Sequence, residues 1–168
     1  MFPPQNSRKY VYEGLITALS IGGIFIILGL IVVSTPGILG KIDTFLSDIS
    51  WSSYLFGSST VMVPVPANPA NHLILFTAAL NFILAVAILQ IIILPLRLFM
   101  RSPIRRIAET VGNLIFWVGA AFAANTLLLS GTLVGWFQFW SWLIVLIGVG
   151  LLARFFVLFL VRKKRNSS

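Results

Sequence analysis

The sequence contains no cysteine, a single histidine and only four acidic residues among its 168 positions. The lack of cysteine excludes disulfides, iron–sulfur ligation and thiolate nucleophiles. The single histidine, His72, excludes bis-histidine haem ligation within the chain and a histidine-rich zinc site. His72 with Asp43 and Asp48 is the one three-ligand combination left, and a place beside the second membrane helix is the simpler role for His72. We therefore expect no metal, no cofactor and no catalytic residues.

Charged residues of both signs make up only 10% of the chain, against about 25% in ordinary soluble domains. Hydrophobic residues make up 58%, and the mean hydropathy is +1.01. Most of the apolar residues fall in four long blocks, which the core of a soluble domain does not need. The composition therefore indicates a membrane protein.

Each of the four blocks is long enough to cross a bilayer as a helix, which takes about 20 apolar residues because lipid offers the backbone no hydrogen bonds. The blocks cover residues 14–34, 72–98, 107–129 and 136–161. The first block exceeds the roughly 7–15 apolar residues of a cleavable signal peptide, so we expect it to remain. The predicted fold is all-α, a single membrane domain over residues 1–168 with a four-transmembrane-helix bundle.

The basic residues are distributed unequally between the two sides of the predicted bundle. Ten of the twelve flank the N-terminus, the loop 99–106 and the tail 162–168, whereas Lys41 alone lies in the loop 35–71. Basic residues in short loops favour the cytoplasmic side. We therefore expect a multi-pass protein of the cell membrane with both termini in the cytoplasm.

Most of these basic residues directly adjoin apolar blocks, so we expect them to bind anionic lipid headgroups rather than nucleic acid. The predicted headgroup contacts are Arg97, Arg101, Arg105, Arg106, Arg162, Lys163, Lys164 and Arg165.

The outer loop 35–71 divides into two parts. Ile38, Ile42, Phe45, Leu46 and Ile49 recur at helical spacing, which predicts an amphipathic helix that lies in the headgroup layer or docks on the bundle. The second part is rich in proline and predicts an extended segment, either an ordered cap or a simple spacer.

Two short connections complete the predicted fold. On the inner side, Ser102 is a good N-cap and Pro103 a good first helical residue, so the third membrane helix should begin near Pro103. On the outer side, the short turn near Gly131 predicts a tight antiparallel hairpin of the third and fourth helices.

Polar residues at membrane depth are the usual place for function, because they are costly there. Those of the predicted helices are Asn81, Gln90, Asn113, Asn125 and Arg154. Interhelical packing and a solute path are both open for the amides. Arg154 can snorkel to the inner headgroups or, if buried, pair with Glu109 or Glu13.

Three residues near the start of the first block recur in the third. Lys9, Glu13 and Gly23 are matched by Arg105, Glu109 and Gly119, each 96 positions later. The match can indicate parallel repeats. It can equally arise because helices that enter from a basic side favour an acidic residue near the N-terminus.

For function, the abundant apolar surface and sparse intramembrane chemistry favour a non-catalytic accessory or assembly subunit of a larger membrane complex. The expected partners are other membrane subunits or further copies of the chain. The alternative is a small oligomeric transporter or channel that uses the polar residues of the second and third spans. A membrane enzyme is a third class, but no catalytic motif supports it.

Overall fold

The computed structural model describes residues 5–56 and 58–166, with side chains over residues 12–53 and 58–162. Five α-helices and one β-hairpin make up the fold. The helices are α1 (Gln5–Ser34), α2 (Ile38–Ser47), α3 (Leu73–Phe99), α4 (Ile104–Thr126) and α5 (Leu133–Asn166), and the strands are β1 (Ile49–Phe56) and β2 (Ser59–Pro66). Short 3-10 helices cover Pro69–His72 and Leu128–Ser130.

Four of these helices, α1, α3, α4 and α5, are long and apolar enough to cross a membrane. Each contains all or nearly all of one predicted block, and the predicted blocks extend beyond α3 by one residue and beyond α4 by three. The predicted all-α polytopic bundle is therefore confirmed. In lipid, a helix is the structure in which a single segment makes all of its backbone hydrogen bonds itself. Hydropathy therefore locates these elements well.

The four long helices pack in the order α1, α3, α4, α5, with α3 and α4 in the middle. In the most apolar stretch of each helix, 33% of the residues of α3 and of α4 are buried inside the protein, against 6% for α1 and 11% for α5. Helices α1 and α5, at the two ends of this order, therefore present most of their surface to the surroundings.

The core lies in the half of the bundle next to the β-hairpin. It is formed by α3, α4 and α5, with the large side chains Phe76, Leu80, Ile83, Phe139 and Leu146. Facing them, α4 contributes a group of small residues: Ala120, Ala121, Ala123 and Ala124. Small residues let membrane helices approach closely, and this allows dispersion contacts to hold them together.

The outer segment, residues 35–71, confirms one prediction and corrects another. Helix α2 forms as predicted but ends at Ser47, and Ile49, which was predicted to share its apolar face, instead begins β1. Strand β1 pairs antiparallel with β2, from Ile49 opposite Pro66 to Phe56 opposite Ser59. The predicted extended segment is thus the second strand of a hairpin. The two prolines of β2 are tolerated because both strands of a two-stranded sheet are edges.

Helix α2 docks on the bundle through Phe45. Its ring lies edge-on to His72 at 5.1 Å and to Phe76 at 6.1 Å, and 5.8 Å from the ring of Trp136. Of the two predicted positions for the amphipathic helix, docking is the one observed.

The inner turn corrects the predicted capping residue. Helix α4 begins at Ile104 with Pro103 as the N-cap, and the hydroxyl of Ser102 is buried without a hydrogen bond to a described residue. The chain enters the turn through Arg101 at φ 49°, so Ser102 is displaced from the capping position. The outer turn forms as predicted, with Gly131 at φ 63°.

Candidate functional site

The inner ends of α4 and α5 share a cluster of four charged residues. The Glu109 carboxylate accepts hydrogen bonds from Arg154 Nη2 at 2.9 Å and from Arg106 Nη1 at 3.2 Å. Arg105 Nε lies 3.5 Å from the same carboxylate. Glu109 lies five residues into α4, about 8 Å from its first residue. Three arginines thus converge on one acidic group near the end of the membrane-crossing part of the helix.

Arg154 was predicted either to snorkel or to pair with an acidic residue, and the structure places it in the pair with Glu109. Its side chain is 34% exposed and that of Glu109 is 24% exposed. The pair joins α4 to α5, because each helix supplies one partner.

A second ion pair joins α1 to α3. Arg97 Nη1 lies 3.9 Å from Glu13 Oε2, and the side chains are 10% and 19% exposed. These two atoms and Arg97 Nε are buried without a hydrogen-bond partner in the described part of the chain. Arg97, which was predicted to contact lipid headgroups, is instead buried against α1. This pair is held by charge alone, without a direct hydrogen bond.

A groove of about 210 Å³ opens between α4 and α5 beside the first ion pair. Gly112 and Gly150 bring the two backbones together at its base: a Cβ atom on Gly112 would lie 2.7 Å from the carbonyl oxygen of Gly150. Polar side chains lie at one end of the groove, and apolar side chains form its walls. The lining residues are Glu109, Asn113, Arg154, Phe116, Ile147 and Leu151, with the two glycines.

The two helical hairpins, α1 with α3 and α4 with α5, have equivalent contacts between their helices. Glu13 pairs with Arg97 as Glu109 pairs with Arg154. Gly23 packs against Leu89 as Gly119 packs against Leu146. The first helices are offset by 96 positions, and both Leu89 to Leu146 and Arg97 to Arg154 are offset by 57. The sequence alone revealed only the offset of 96 positions. The offset of 57 differs from it because residues 35–71 separate the two helices of the first hairpin, whereas the second hairpin has only a short turn.

On the outer side, Asp48 fastens the hairpin segment to the bundle. Its Oδ2 accepts a hydrogen bond from the backbone N–H of Asn68 at 3.0 Å and lies 2.8 Å from His72 Nε2. The carbonyl oxygen of Asp48 also accepts from the N–H of Ala67 at 3.0 Å. The bond from Asn68 and then that with His72 hold the pKa of the Asp48 carboxyl below its ordinary value, because they favour its charged form.

Loss of this carboxylate is expected to loosen the outer segment. In Asp48→Ala, the amide of Asn68 should exchange with solvent faster at neutral pH, whereas Asp43→Ala, which removes an exposed aspartate of α2, should leave it unchanged. The lowered pKa means that the stabilisation is present at and above the unfolded-state pKa of about 3.9 and is lost as pH falls through the lower folded value. Exchange at Asn68 that is equal in both variants would contradict this role.

The remaining predicted site residues do not converge on one place. Gln90 is buried, whereas Asn81, Asn113 and Asn125 are exposed on the surface of the bundle. Arg101, Arg105, Arg106 and Arg162 are exposed, as headgroup contacts require. Lys163, Lys164 and Arg165 lie on the last turns of α5, and their side chains lie outside the described residues. Among the described residues, no group of three histidine, aspartate or glutamate side chains could hold a metal ion.

Four apolar membrane-length helices define the chain as a multi-pass membrane protein of the helix-bundle class. Comparison with models of known protein families, with curated proteins and with solved structures finds no match.

Proposed function

We propose that this protein is a non-catalytic membrane subunit that assembles with other transmembrane polypeptides through α1. The observation that supports this most strongly is a row of small residues on the face of α1 that points away from α3. Gly14, Ala18 and Gly22 lie at spacings of four along one side of α1, opposite to Ile16 and Gly23, which face α3. The exposed Phe25 and then Gly29 continue the same side.

This row is open. A Cβ atom added to any of its three glycines would meet no atom within 4 Å. Small residues at spacings of three or four along a membrane helix allow a second helix to approach closely. A partner helix that packs along such a row gains dispersion contacts over its length and releases the lipid tails that covered it.

The exposed amides support the same proposal. Asn81 lies about 12 Å into α3 and Asn113 about 14 Å into α4, at 1.5 Å per residue. Both are exposed, and neither side chain has a hydrogen bond within the described residues. A polar group that faces hydrocarbon is costly, so a neighbouring polypeptide that supplies a partner would stabilise these positions.

A large residue in the row should weaken assembly without unfolding the chain. We expect Gly22→Ile to reduce copurification of partner polypeptides in mild detergent at least about tenfold, the effect of 1.4 kcal/mol. The matched control is Gly148→Ile, since Gly148 on α5 is equally open. Equal recovery of partners with both variants would contradict a role for this face of α1.

The exposed amides also favour a second candidate function, a transporter or channel of several copies. Because Asn81 and Asn113 lie on the outside of the bundle, a path that uses them would run between neighbouring copies. Gln90, which is buried, would stay outside such a path.

We further propose that the hairpin side faces away from the cytoplasm, as the distribution of basic residues indicates. The chain has no native cysteine, so a single introduced cysteine reports its side of the membrane. Ser59→Cys in the exposed start of β2 should react with an impermeant maleimide added outside intact cells. Arg101→Cys at the inner turn should react only after the membrane is opened, and the reverse pattern would overturn the orientation.

A further inference from the structure

We infer that the groove between α4 and α5 is a binding site for one anionic phospholipid. The arginines around Glu109 would take the headgroup phosphate, and the apolar walls of the groove would take an acyl chain. This inference stands whether or not α1 binds a partner, since it rests on a different face of the bundle.

The charge of the cluster is the first part of the argument. Arg105, Arg106 and Arg154 all contact the single carboxylate of Glu109. Three guanidinium groups against one carboxylate leave two positive charges in excess. Arg105 and Arg106 are 76% and 55% exposed, so both can meet a phosphate at the membrane surface. Guanidinium groups bind phosphate oxygens through paired N–H donors.

The shape of the groove is the second part. It runs from the ion pair along Phe116, Ile147 and Leu151. Asn113 lies at its polar end with an amide that has no hydrogen-bond partner in the described residues. A phosphate with an attached acyl chain matches this order of polar and apolar groups. A free anion would leave the walls uncovered.

The first hairpin has large apolar side chains at the same place. The positions equivalent to Gly112 and Gly150 are Ile16 and Ile93, and each is only 1% exposed. Two isoleucines thus pack at the level where Gly112 and Gly150 let the backbones of α4 and α5 meet. Among the described side chains, the ion pair there has one arginine, Arg97, for one carboxylate, Glu13. Among the described side chains, those of the second hairpin combine a groove with surplus positive charge.

The test is native mass spectrometry of the full chain released from nanodiscs of equal phosphatidylglycerol and phosphatidylcholine. We expect the unchanged protein to keep one phosphatidylglycerol. At about 1 kcal/mol per basic residue, Arg105→Gln with Arg106→Gln should weaken its retention about thirtyfold. Arg101→Gln with Arg162→Gln removes the same charge from exposed arginines that do not contact Glu109 and should change retention less than threefold.

A second pair of variants tests the apolar wall. Leu151→Trp fills the groove and should lose the lipid, whereas Leu152→Trp, at a neighbouring position of similar exposure that does not line it, should keep the lipid. Equal retention of the two lipids by the unchanged protein would overturn the proposal. So would equal losses in both arginine pairs, or displacement of the lipid by excess glycerol phosphate, which has the phosphate but no acyl chain.

Discussion

Gly112→Ile is expected to drive α4 and α5 apart and to abolish the native bundle or nearly so. A Cβ atom at this position would lie 2.7 Å from the backbone carbonyl oxygen of Gly150, and a backbone atom cannot move aside as a side chain can. Overpacking typically costs about 1–3 kcal/mol, and we expect at least the upper end because a helix must shift. Isoleucine is also the residue at the equivalent position 16, where the first hairpin accommodates it.

The measurement is the midpoint of unfolding on titration with sodium dodecyl sulfate, after purification in a mild detergent. Gly148→Ile is the control, because a Cβ atom at this position, two residues from Gly150, would meet no atom within 4 Å. We expect the control to unfold close to the unchanged protein. A Gly112→Ile variant as stable as the control would show that α4 and α5 do not pack through their glycines.

Removal of Glu13 should produce the second large effect. Glu13→Gln leaves the Arg97 guanidinium, whose side chain is 10% exposed, without a negative partner. Arginine cannot escape by losing its proton, and breaking a buried ion pair typically costs about 3–5 kcal/mol. We expect about 3 kcal/mol, because the two closest atoms are already 3.9 Å apart and share no hydrogen bond.

The double variant Glu13→Gln with Arg97→Met separates this explanation from simple loss of packing. The double variant leaves no unpaired buried charge, which is the source of the large cost, so it should recover most of the stability that Glu13→Gln loses. Losses that add in the double variant, measured in the same detergent titration, would contradict the role of charge.

The spans could be predicted because lipid allows few alternatives, but contacts between helices could not. Hydropathy places Gly112 and Gly150 in the third and fourth spans without showing which faces meet, since that depends on the rotation of each helix. The pair of Arg154 with Glu109 was one of several chemically reasonable outcomes. Only the fold brings the two residues within 2.9 Å.

Strand β1 was missed because its signal is weak. Ile49, Trp51 and Phe56 favour a strand, but serines separate them and Ile49 also fits the helical spacing of α2. The dipeptide Gly57–Ser58 between the two strands is a hairpin signal that could have revealed the strand. The prediction of Ser102 as the N-cap was wrong for a different reason. Pro103 is itself the N-cap of α4, so the serine is not needed there.

The proposed role as a membrane subunit is tested most directly by the native mass of the protein extracted in mild detergent without overexpression. The proposal predicts an assembly well above the 18.5 kDa of one chain, in which unrelated polypeptides are present at fixed ratio. A single chain with bound lipid alone would contradict it, and so would a uniform homo-oligomer that carries solute flux in liposomes.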